Sequence, residues 1–392
     1  MSNPCSHLRK ILKTSAAAPT STLLQSAKPT SIPISVKELV EESNLEELAK
    51  KFKQVASNSS KFRNRHNIYD FTISRLALAK RYNLIEDILE SHKNFDDITR
   101  EGFAIRLISL YARAGMFDHA RKVFDEMPEL KCPRTVKSFN AVLKAGVEAK
   151  RFEDVFRLFR EGPATLSISC DVLTYNIVIH AFCETGSVDE GLMMVDEMME
   201  KGVNPSVVTF NTLLDGFYRE KGFEGGEIIW SMMDELNVVR NTRSYNLKMQ
   251  GMVNEGELRN AVALFEVLES EGLKPDVSTF NVLMKGCCDQ GNVEEAKKWY
   301  NALLESGAMP NSITFSTIVP KFCDRGDFDL AFELCKKMFK RQFVVDEALL
   351  QLVVNGLVKA SLTEEAEELV KLGKSNSYVQ YDLVLPSDNA EN

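Results

Sequence analysis

The stretch Val207-Val208-Thr209-Phe210-Asn211-Thr212-Leu213-Leu214 decides the fold, because its aromatic–Asn pair returns at a fixed interval of 35 residues. The same pair stands at Tyr175-Asn176, Tyr245-Asn246 and Phe280-Asn281, and Phe315-Ser316 occupies the next position. A period of roughly 20–50 residues is typical of a stacked array of one supersecondary unit, in which each unit contacts its neighbours. The sequence therefore predicts an elongated repeat protein before any single site is considered.

Extending this interval in both directions divides the chain into nine segments. They are 66–100, 101–135, 136–171, 172–206, 207–241, 242–276, 277–311, 312–346 and 347–381. All have 35 residues except 136–171, whose extra residue is expected in a longer turn around residues 160–164. Four regions are predicted: an organelle transit peptide, an N-terminal helical or linker segment, the repeat array and a disordered tail. They cover residues 1–37, 38–65, 66–381 and 382–392.

Each segment has the pattern of two helices joined by a turn. In 172–206, an apolar stripe from Val172 to Ile179 indicates a first helix, and Gly186 ends it. A second helix begins with acidic residues, which suit the positive end of a helix, and ends near Gly202. In the end segments the Asn position holds other residues, which indicates capping repeats. These residues are Asp70, Ile105 and Gln351.

The charge distribution is uneven along the 392 residues. The net charge is −8, yet residues 1–65 carry eleven Lys and Arg against five Asp and Glu. The remainder is therefore strongly acidic, which excludes a generic polyanion-binding protein and restricts any RNA site to one face. The first 37 residues have no acidic residue and are rich in Ser, Thr and Ala, a composition typical of a transit peptide or of a merely disordered terminus. Mitochondrion is favoured, with chloroplast as the alternative.

The residues that usually carry catalysis or bind metals lack the necessary spacing. Cys183, Cys288 and Cys323 occupy the same place in their segments, seven residues after the Asn or Ser, as expected for small buried side chains. The five His form no metal motif, and no phosphate-binding loop or nucleophile motif is present. No apolar run approaches the roughly 18 residues of a membrane span. We therefore expect no enzyme, cofactor, metal or small-molecule substrate.

Val-Val-Thr-Phe-Asn-Thr-Leu-Leu-Asp-Gly-Phe at 207–217 and Lys-Pro-Asp at 274–276 resemble the pentatricopeptide repeat, in its P class of unbroken 35-residue units. The resemblance covers about four-fifths of the chain and implies plant organelles and RNA. The predicted fold is all-α, a right-handed α-solenoid of about nine helix-turn-helix repeats. Glu101-Gly102-Phe103 and Val345-Asp346-Glu347-Ala348 also resemble short mitochondrial members of the family, some of which are components of the small subunit of the mitochondrial ribosome.

The resemblance implies that each repeat addresses one RNA base through two side chains: the residue after the aromatic, and the last residue of the repeat. Short amides, hydroxyls and carboxylates can pair with the edge of an unstacked base. The candidate pairs are Asn140 with Asp171, Asn176 with Ser206, Asn211 with Asn241, Asn246 with Asp276, Asn281 with Asn311, and Ser316 with Asp346. The five Asn-led pairs would favour pyrimidines, and an aliphatic neighbour could sandwich the base. The sandwiching candidates are Leu173, Val208 and Ile313.

Three functional interpretations remain open. The first is an RNA-associated adaptor in or on the small subunit of the mitochondrial ribosome, with its proteins and ribosomal RNA as partners. The second is a sequence-specific factor that binds single-stranded RNA and stabilises or processes one organellar transcript, and the third is a protein-binding scaffold. The Asn residues could also be purely structural. One turn beyond them no basic stripe follows, since the positions hold Lys144, His180, Asp215, Gln250, Lys285 and Pro320.

Overall fold

The computed structural model describes residues 35–341, 343–375 and 381–386, and the predicted transit peptide lies almost wholly outside these ranges. The chain divides into two compact units, Met1–Pro205 and Ser206–Asn392. All regular elements of the described residues are helical, without a strand. The all-α class and the repeated helix-turn-helix unit are therefore confirmed.

In the described residues the first unit begins with three helices that precede the array: α1 (Val36–Glu41), α2 (Leu45–Asn58) and α3 (Ser60–Arg63). Four helix pairs follow: α4 (His66–Leu78) with α5 (Tyr82–Ser91), α6 (Glu101–Arg113) with α7 (Phe117–Glu126), α8 (Val136–Glu148) with α9 (Phe152–Leu166), and α10 (Val172–Glu184) with α11 (Val188–Glu200). Two 3₁₀ turns, His92–Asn94 and Asp96–Thr99, connect α5 to α6. Residues 38–65 are thus mainly helical, and Leu48 and Phe52 are buried in the core of this unit.

The second unit contains five helix pairs. They are α12 (Val207–Glu220) with α13 (Gly222–Glu235), α14 (Thr242–Asn254) with α15 (Leu258–Ser270), α16 (Val277–Asp289) with α17 (Val293–Glu305), α18 (Ser312–Asp324) with α19 (Phe328–Arg341), and α20 (Glu347–Lys359) with α21 (Thr363–Lys374). Within each unit the first helices of successive pairs from α6 onward pack side by side. Within each unit, the second helices from α7 onward contact their own first helix and, where another pair follows, the first helix of that pair, so the core runs between repeats.

The extra residue of segment 136–171 is found in a helix, in contrast to the predicted longer turn. Residues 160–164 belong to α9, which continues to Leu166 with Pro163 inside its last turns. Ser167 then ends the helix in the left-handed conformation, with φ of 53°, and the Ile168 N–H donates to the Pro163 carbonyl at 3.0 Å. This closing bond satisfies a carbonyl at the helix end, which allows a non-glycine residue to adopt the conformation.

Close packing of the two helices in a pair depends on small residues, most clearly at Gly226. A Cβ atom built at this position would lie 2.0 Å from Tyr218 Cε1 of the preceding helix. The Tyr218 hydroxyl donates to Glu227 Oε1 at 2.8 Å, which satisfies its polar end in a largely apolar contact. The aromatic side chain therefore fills a space that only glycine leaves open.

Residues 381–386 have no regular secondary structure and pack on the last repeat of the second unit. Tyr381 and Leu383 are buried, and the Val384 backbone exchanges hydrogen bonds with the Gln351 side chain, at 3.0 Å from its N–H and 2.8 Å to its carbonyl. Packed chain thus continues beyond Tyr381, whereas the sequence predicts a disordered tail from residue 382. Residues 387–392 of that predicted tail lie outside the described ranges.

Candidate nucleic-acid interface

The five Asn side chains of the aromatic–Asn pairs are buried rather than open to solvent. Their exposed fractions are 3% for Asn140 and Asn211, 7% for Asn246 and Asn281, and 9% for Asn176. A buried amide is costly unless its donors and acceptors are satisfied, since a polar group without a partner costs about 1–3 kcal/mol. The hydrogen bonds of these amides therefore determine which of their polar atoms are available to a ligand.

The Asn246 amide connects two successive repeats. Asn246 Nδ2 donates to Asp276 Oδ1 at 3.0 Å, and Thr279 Oγ1 donates to Asn246 Oδ1 at 2.8 Å. Asp276 is the residue before α16, and its Oδ1 also accepts the Thr279 backbone N–H at 3.0 Å. In return, the Asp276 N–H donates to Thr279 Oγ1 at 3.0 Å, which completes a capping box at the start of this helix. The Asn of one repeat is thus bonded to the helix cap of the next.

The same arrangement recurs at three other places. In each, Asn Nδ2 donates to Oδ1 of the cap residue, and a hydroxyl three residues after the cap donates to Asn Oδ1. The triplets are Asn140 with Asp171 (2.9 Å) and Thr174 (2.7 Å), Asn211 with Asn241 (3.1 Å) and Ser244 (2.7 Å), and Asn281 with Asn311 (3.2 Å) and Thr314 (2.8 Å). We call these four arrangements the amide triplets.

Each triplet leaves one polar atom of the cap residue outside these bonds. In Asp276 this atom is Oδ2, a hydrogen-bond acceptor, whereas in Asn241 and Asn311 it is Nδ2, a donor. Asp276 and Asn241 are exposed residues, so this outer atom is the group that can meet a base. Four of the predicted pairs are therefore brought together. The two members differ, because the Asn amide is buried and hydrogen-bonded on both sides, whereas the cap residue keeps one polar atom outside these bonds.

The ionisation of Asp171 fits this role. Burial acts to raise the pKa of the carboxyl, but hydrogen bonds from the Thr174 backbone and from the Asn140 and Thr174 side chains outweigh it and lower the pKa. Asp171 is consequently a carboxylate at neutral pH and only accepts hydrogen bonds.

Three aliphatic side chains near the starts of first helices are mainly exposed, as a base-sandwiching role requires. Leu173 is 55%, Val208 56% and Ile313 59% exposed. Each lies two residues after its cap residue, and Leu173 and Val208 each lie three residues before the Asn of their repeat. An exposed aliphatic side chain beside polar atoms provides a flat contact for a base plane.

The cations one turn beyond the Asn positions are paired with acids on the same helix. Lys144 lies 3.8 Å from Glu148 and Lys285 lies 3.6 Å from Asp289, while Asp215 lies 3.8 Å from Arg219. Exposed pairs of this kind contribute little stability, about 0.3–0.5 kcal/mol each. Because these ion pairs balance the charges, the row of side chains one turn beyond the Asn positions has little net positive charge. It is therefore poorly suited to bind phosphates.

The predicted pair of Ser316 with Asp346 is not joined in this way. Ser316 is exposed and donates to the Ile313 carbonyl at 3.0 Å, while Asp346 accepts the Ala348 N–H at 3.0 Å. Leu349 stands where the triplets have Ser or Thr, so the bridging hydroxyl is missing at this repeat. Asn176 belongs to the first unit and Ser206 to the second, where Ser206 caps α12.

The end repeats replace the triplet with other contacts. Asp70 forms an ion pair with Arg113 at 3.0 Å, and Gln351 bonds the Val384 backbone. Ile105 has no polar group, and Glu101 Oε1 instead accepts the Thr135 N–H at 2.9 Å and the Thr135 hydroxyl at 2.8 Å. The predicted capping character of these repeats thus has a structural basis.

The hydroxyl residues of the triplets were missed as site residues by sequence reasoning. They are Thr174, Ser244, Thr279 and Thr314. A signal for them is present in the sequence, because Ser or Thr directly precedes the repeated aromatic residue in each of these repeats. Their contact with the preceding Asn depends on the stacking of repeats, which the local pattern does not specify.

Other kinds of site find no support among the described residues. Cys183, Cys288 and Cys323 are buried, and burial raises the pKa of the Cys288 and Cys323 thiols to about 11. Within the described ranges no three His, Cys, Asp or Glu side chains are grouped to hold a metal ion. No helix in the part of the chain that the structure describes has the length and apolar character to cross a membrane.

Comparisons with known proteins agree with the repeat geometry. A model of the PPR repeat family matches residues 171–219, 240–289 and 276–324, and a PPR repeat model matches 106–132, 208–238 and 313–343. Together these matches cover about half of the chain.

Among similar Arabidopsis thaliana proteins, small ribosomal subunit protein mS78 (rPPR3a) is 46% identical over 162 residues, which are 41% of this chain and 40% of that protein. Small ribosomal subunit protein mS79 (rPPR3b) is 44% identical over 156 residues, 40% of this chain and 39% of that protein. A third relative, named as a mitochondrial pentatricopeptide repeat-containing protein, is 40% identical over 153 residues, 39% of this chain and 37% of that protein. The chain thus spans about two-fifths of the length of these relatives. From the matched repeats and these relatives, the chain belongs to the pentatricopeptide repeat family.

Proposed function

We propose that this chain is a mitochondrial RNA-associated helical-repeat adaptor that acts with the small subunit of the mitochondrial ribosome in organellar translation. The ribosomal part rests on one observation, the 46% identity over 162 residues to a protein named as a small ribosomal subunit protein. The mitochondrial location is supported by a relative whose name includes that compartment. Ribosomal RNA and small-subunit proteins are the proposed partners.

The RNA part rests on the outer atoms of the triplet cap residues. Asp276 offers an acceptor and Asn241 a donor at equivalent positions, and both can pair with the Watson–Crick edge of an unstacked base. Exposed Val208 lies near the start of a first helix, where it can cover one face of a base. Because the neighbouring cations are paired with acids, we expect modest RNA affinity from this surface alone, supplemented by protein contacts inside a particle.

A sequence-specific factor for one organellar transcript is the second candidate. It is favoured by the alternation of Asp and Asn on an otherwise identical triplet, because exchanging an acceptor for a donor changes which base edge can pair. Few repeats carry the triplet, so the selectivity of this surface alone would be limited.

Sedimentation of an organelle lysate tests the ribosomal proposal. With magnesium present we expect the protein to sediment with the small subunit, and with EDTA to follow it as the subunits separate. A protein that stays in the light fractions under both conditions would contradict the proposal. RNA crosslinking then separates the alternatives, because a single pyrimidine-rich transcript site favours the specific factor and broad ribosomal RNA contact favours the adaptor. Ribosome association without any RNA crosslink would leave only the protein-binding scaffold.

A further inference from the structure

The first two repeats carry arginines where later repeats carry the triplet. Arg65 and Arg100 occupy the N-cap positions of α4 and α6, and neither side chain makes a capping hydrogen bond. In later repeats the equivalent positions hold Thr, Asp, Ser or Asn, which do cap their helices. The side chains at these positions are therefore cationic in the first two repeats, whereas later repeats have hydroxyl, carboxylate or amide groups there.

Arg106 is the least satisfied charged group of this region. Its guanidinium lies between two aromatic rings, 4.7 Å from the Tyr69 ring centre and 4.8 Å from that of Phe103. Within the described residues, Nε and Nη2 are buried without a hydrogen-bond partner. Cation–π contact offsets only part of the cost of removing a charge from water.

The acids near Arg106 are already neutralised by other arginines. Asp70 pairs with Arg113 at 3.0 Å, and Asp97 is shared between Arg63 and Arg100. Four arginines thus face two carboxylates in this group, which we call the arginine cluster: Arg63, Arg100, Arg106 and Arg113. Desolvation lowers the pKa of Arg106, and the nearby Tyr69, Asp97 and Asp70 offset this only in part. Among the residues that the structure describes, no carboxylate forms an ion pair with Arg106.

Space for a ligand exists on the same face. Gly102 lies one turn before Arg106 on α6, and a Cβ atom built there would meet nothing within 4 Å. Residues four apart lie on one helix face, and this is the position where later repeats place the exposed Leu173, Val208 and Ile313. Arg106 is only partly buried, so an anion can approach the open edge of its delocalised charge.

We propose that the arginine cluster binds a phosphate group of single-stranded RNA, with Arg106 and Arg100 as its principal contacts. This inference rests on the RNA association proposed above and adds a second mode of binding. The triplets meet bases, whereas this end of the array holds the RNA backbone. A bound phosphate would supply the counter-ion that Arg106 lacks.

The first test measures the affinity for an oligouridylate about 20 nucleotides long over a range of KCl concentrations. Arg106→Gln and Arg100→Gln should weaken binding and reduce the slope of log K against log salt by about 0.7 for each lost contact. Arg259→Gln, at an exposed position on α15, is the matched control and should change neither. Equal affinities and slopes for the Arg106 and Arg259 variants would overturn the proposal while RNA binding itself stands.

A second measurement keeps the site separate from the proposed function. Inorganic phosphate, compared with chloride at equal ionic strength, should raise the Tm of the wild-type protein and of Arg259→Gln but not of Arg106→Gln. Equal responses of all three would overturn the phosphate site. A wild-type protein that responds to phosphate but does not bind RNA would instead refute the proposed RNA function.

Arg106→Met distinguishes lost charge from lost folding. A well-packed apolar side chain in place of a buried charge is often neutral or stabilising. We expect this variant to have an unchanged or higher Tm without ligand and a weaker RNA affinity. A lower Tm together with unchanged RNA affinity would show that Arg106 is structural.

Discussion

Asn246 Nδ2 donates to Asp276 Oδ1 at 3.0 Å, although the two residues are 30 positions apart in the chain. Through this bond the residue that marks the repeat in the sequence is tied to the helix cap of the following repeat. A change at Asn246 should therefore affect both the contact between the two repeats and the position of Asp276, the residue proposed to meet a base.

Replacing Asn246 with Ala should lower the free energy of unfolding by about 1–3 kcal/mol, since Thr279 Oγ1 and Asp276 Oδ1 each lose a buried partner. Chemical denaturation measures the loss. Asn260→Ala is the matched control. Asn260 is exposed, and its side chain donates to the carboxylate of Glu257, the residue that precedes the same helix. Equal destabilisation by the two changes would show that the triplet contributes nothing to stability.

Asp276→Asn should change base preference while preserving the fold. Asn241 and Asn311 already make the same cap and triplet bonds through Oδ1, and Asn and Asp are equally good N-caps. Only the outer atom changes, from an acceptor suited to N3–H of uracil to a donor suited to N3 of cytosine.

Competition between RNAs that differ at one pyrimidine measures this preference. A shift of about 1–1.5 kcal/mol, near tenfold, is expected for one exchanged hydrogen bond. Asn311→Asp should shift the preference in the opposite direction at its own position. No shift in either variant, with RNA affinity retained, would mean that the cap residues do not read bases.

The stability of the first unit should fall between pH 6.5 and 4 because of His92. This side chain is buried, with Tyr69 Oη 2.6 Å from Nε2, and desolvation lowers its pKa to about 4. In the unfolded chain the pKa of His is near 6.5. Just below that pH the unfolded chain therefore binds a proton at His92 that the folded chain does not bind, which favours unfolding. Within this pH range the free energy of unfolding should fall by up to about 1.4 kcal/mol per pH unit.

His92→Gln should remove this part of the pH dependence. Comparison of denaturation curves at pH 7 and pH 5 measures it, and the carboxylates that titrate in the same range are common to both proteins. An identical change between the two pH values in wild type and variant would contradict the assignment to His92.

Deletion of the chain after Ser375 should destabilise the second unit. It removes the buried Tyr381 and Leu383 and leaves the Gln351 amide without its Val384 partners. Burying a side chain such as Leu383 contributes about 1.5–3 kcal/mol, so a loss of several kcal/mol is expected. Deletion after Pro386 is the control and should retain the wild-type Tm, and equal Tm values for the two deletions would show that this segment does not stabilise the repeat.

The interval of the aromatic–Asn pair and the apolar stripes predict the helix pairs well, since both are local properties of 35-residue segments. The resemblance pairs Asn246 with Asp276, but their direct hydrogen bond and the contact of Asn246 with Thr279 could not be predicted, because these residues come within hydrogen-bond distance only when successive repeats stack. Residues 382–386 could not be predicted either, since a short segment without periodicity takes its conformation from the surface that it covers.

The sequence by itself determined the repeat, its register and the residue types at each position of the first helix, because helical periodicity and capping act over a few residues. Only the tertiary structure decided which atoms of those residues remain for a ligand. Stacking places the Asn amides in hydrogen bonds with the next repeat, and within the described ranges two nitrogens of Arg106 are buried without a hydrogen-bond partner. Both outcomes depend on neighbours that are distant in the chain.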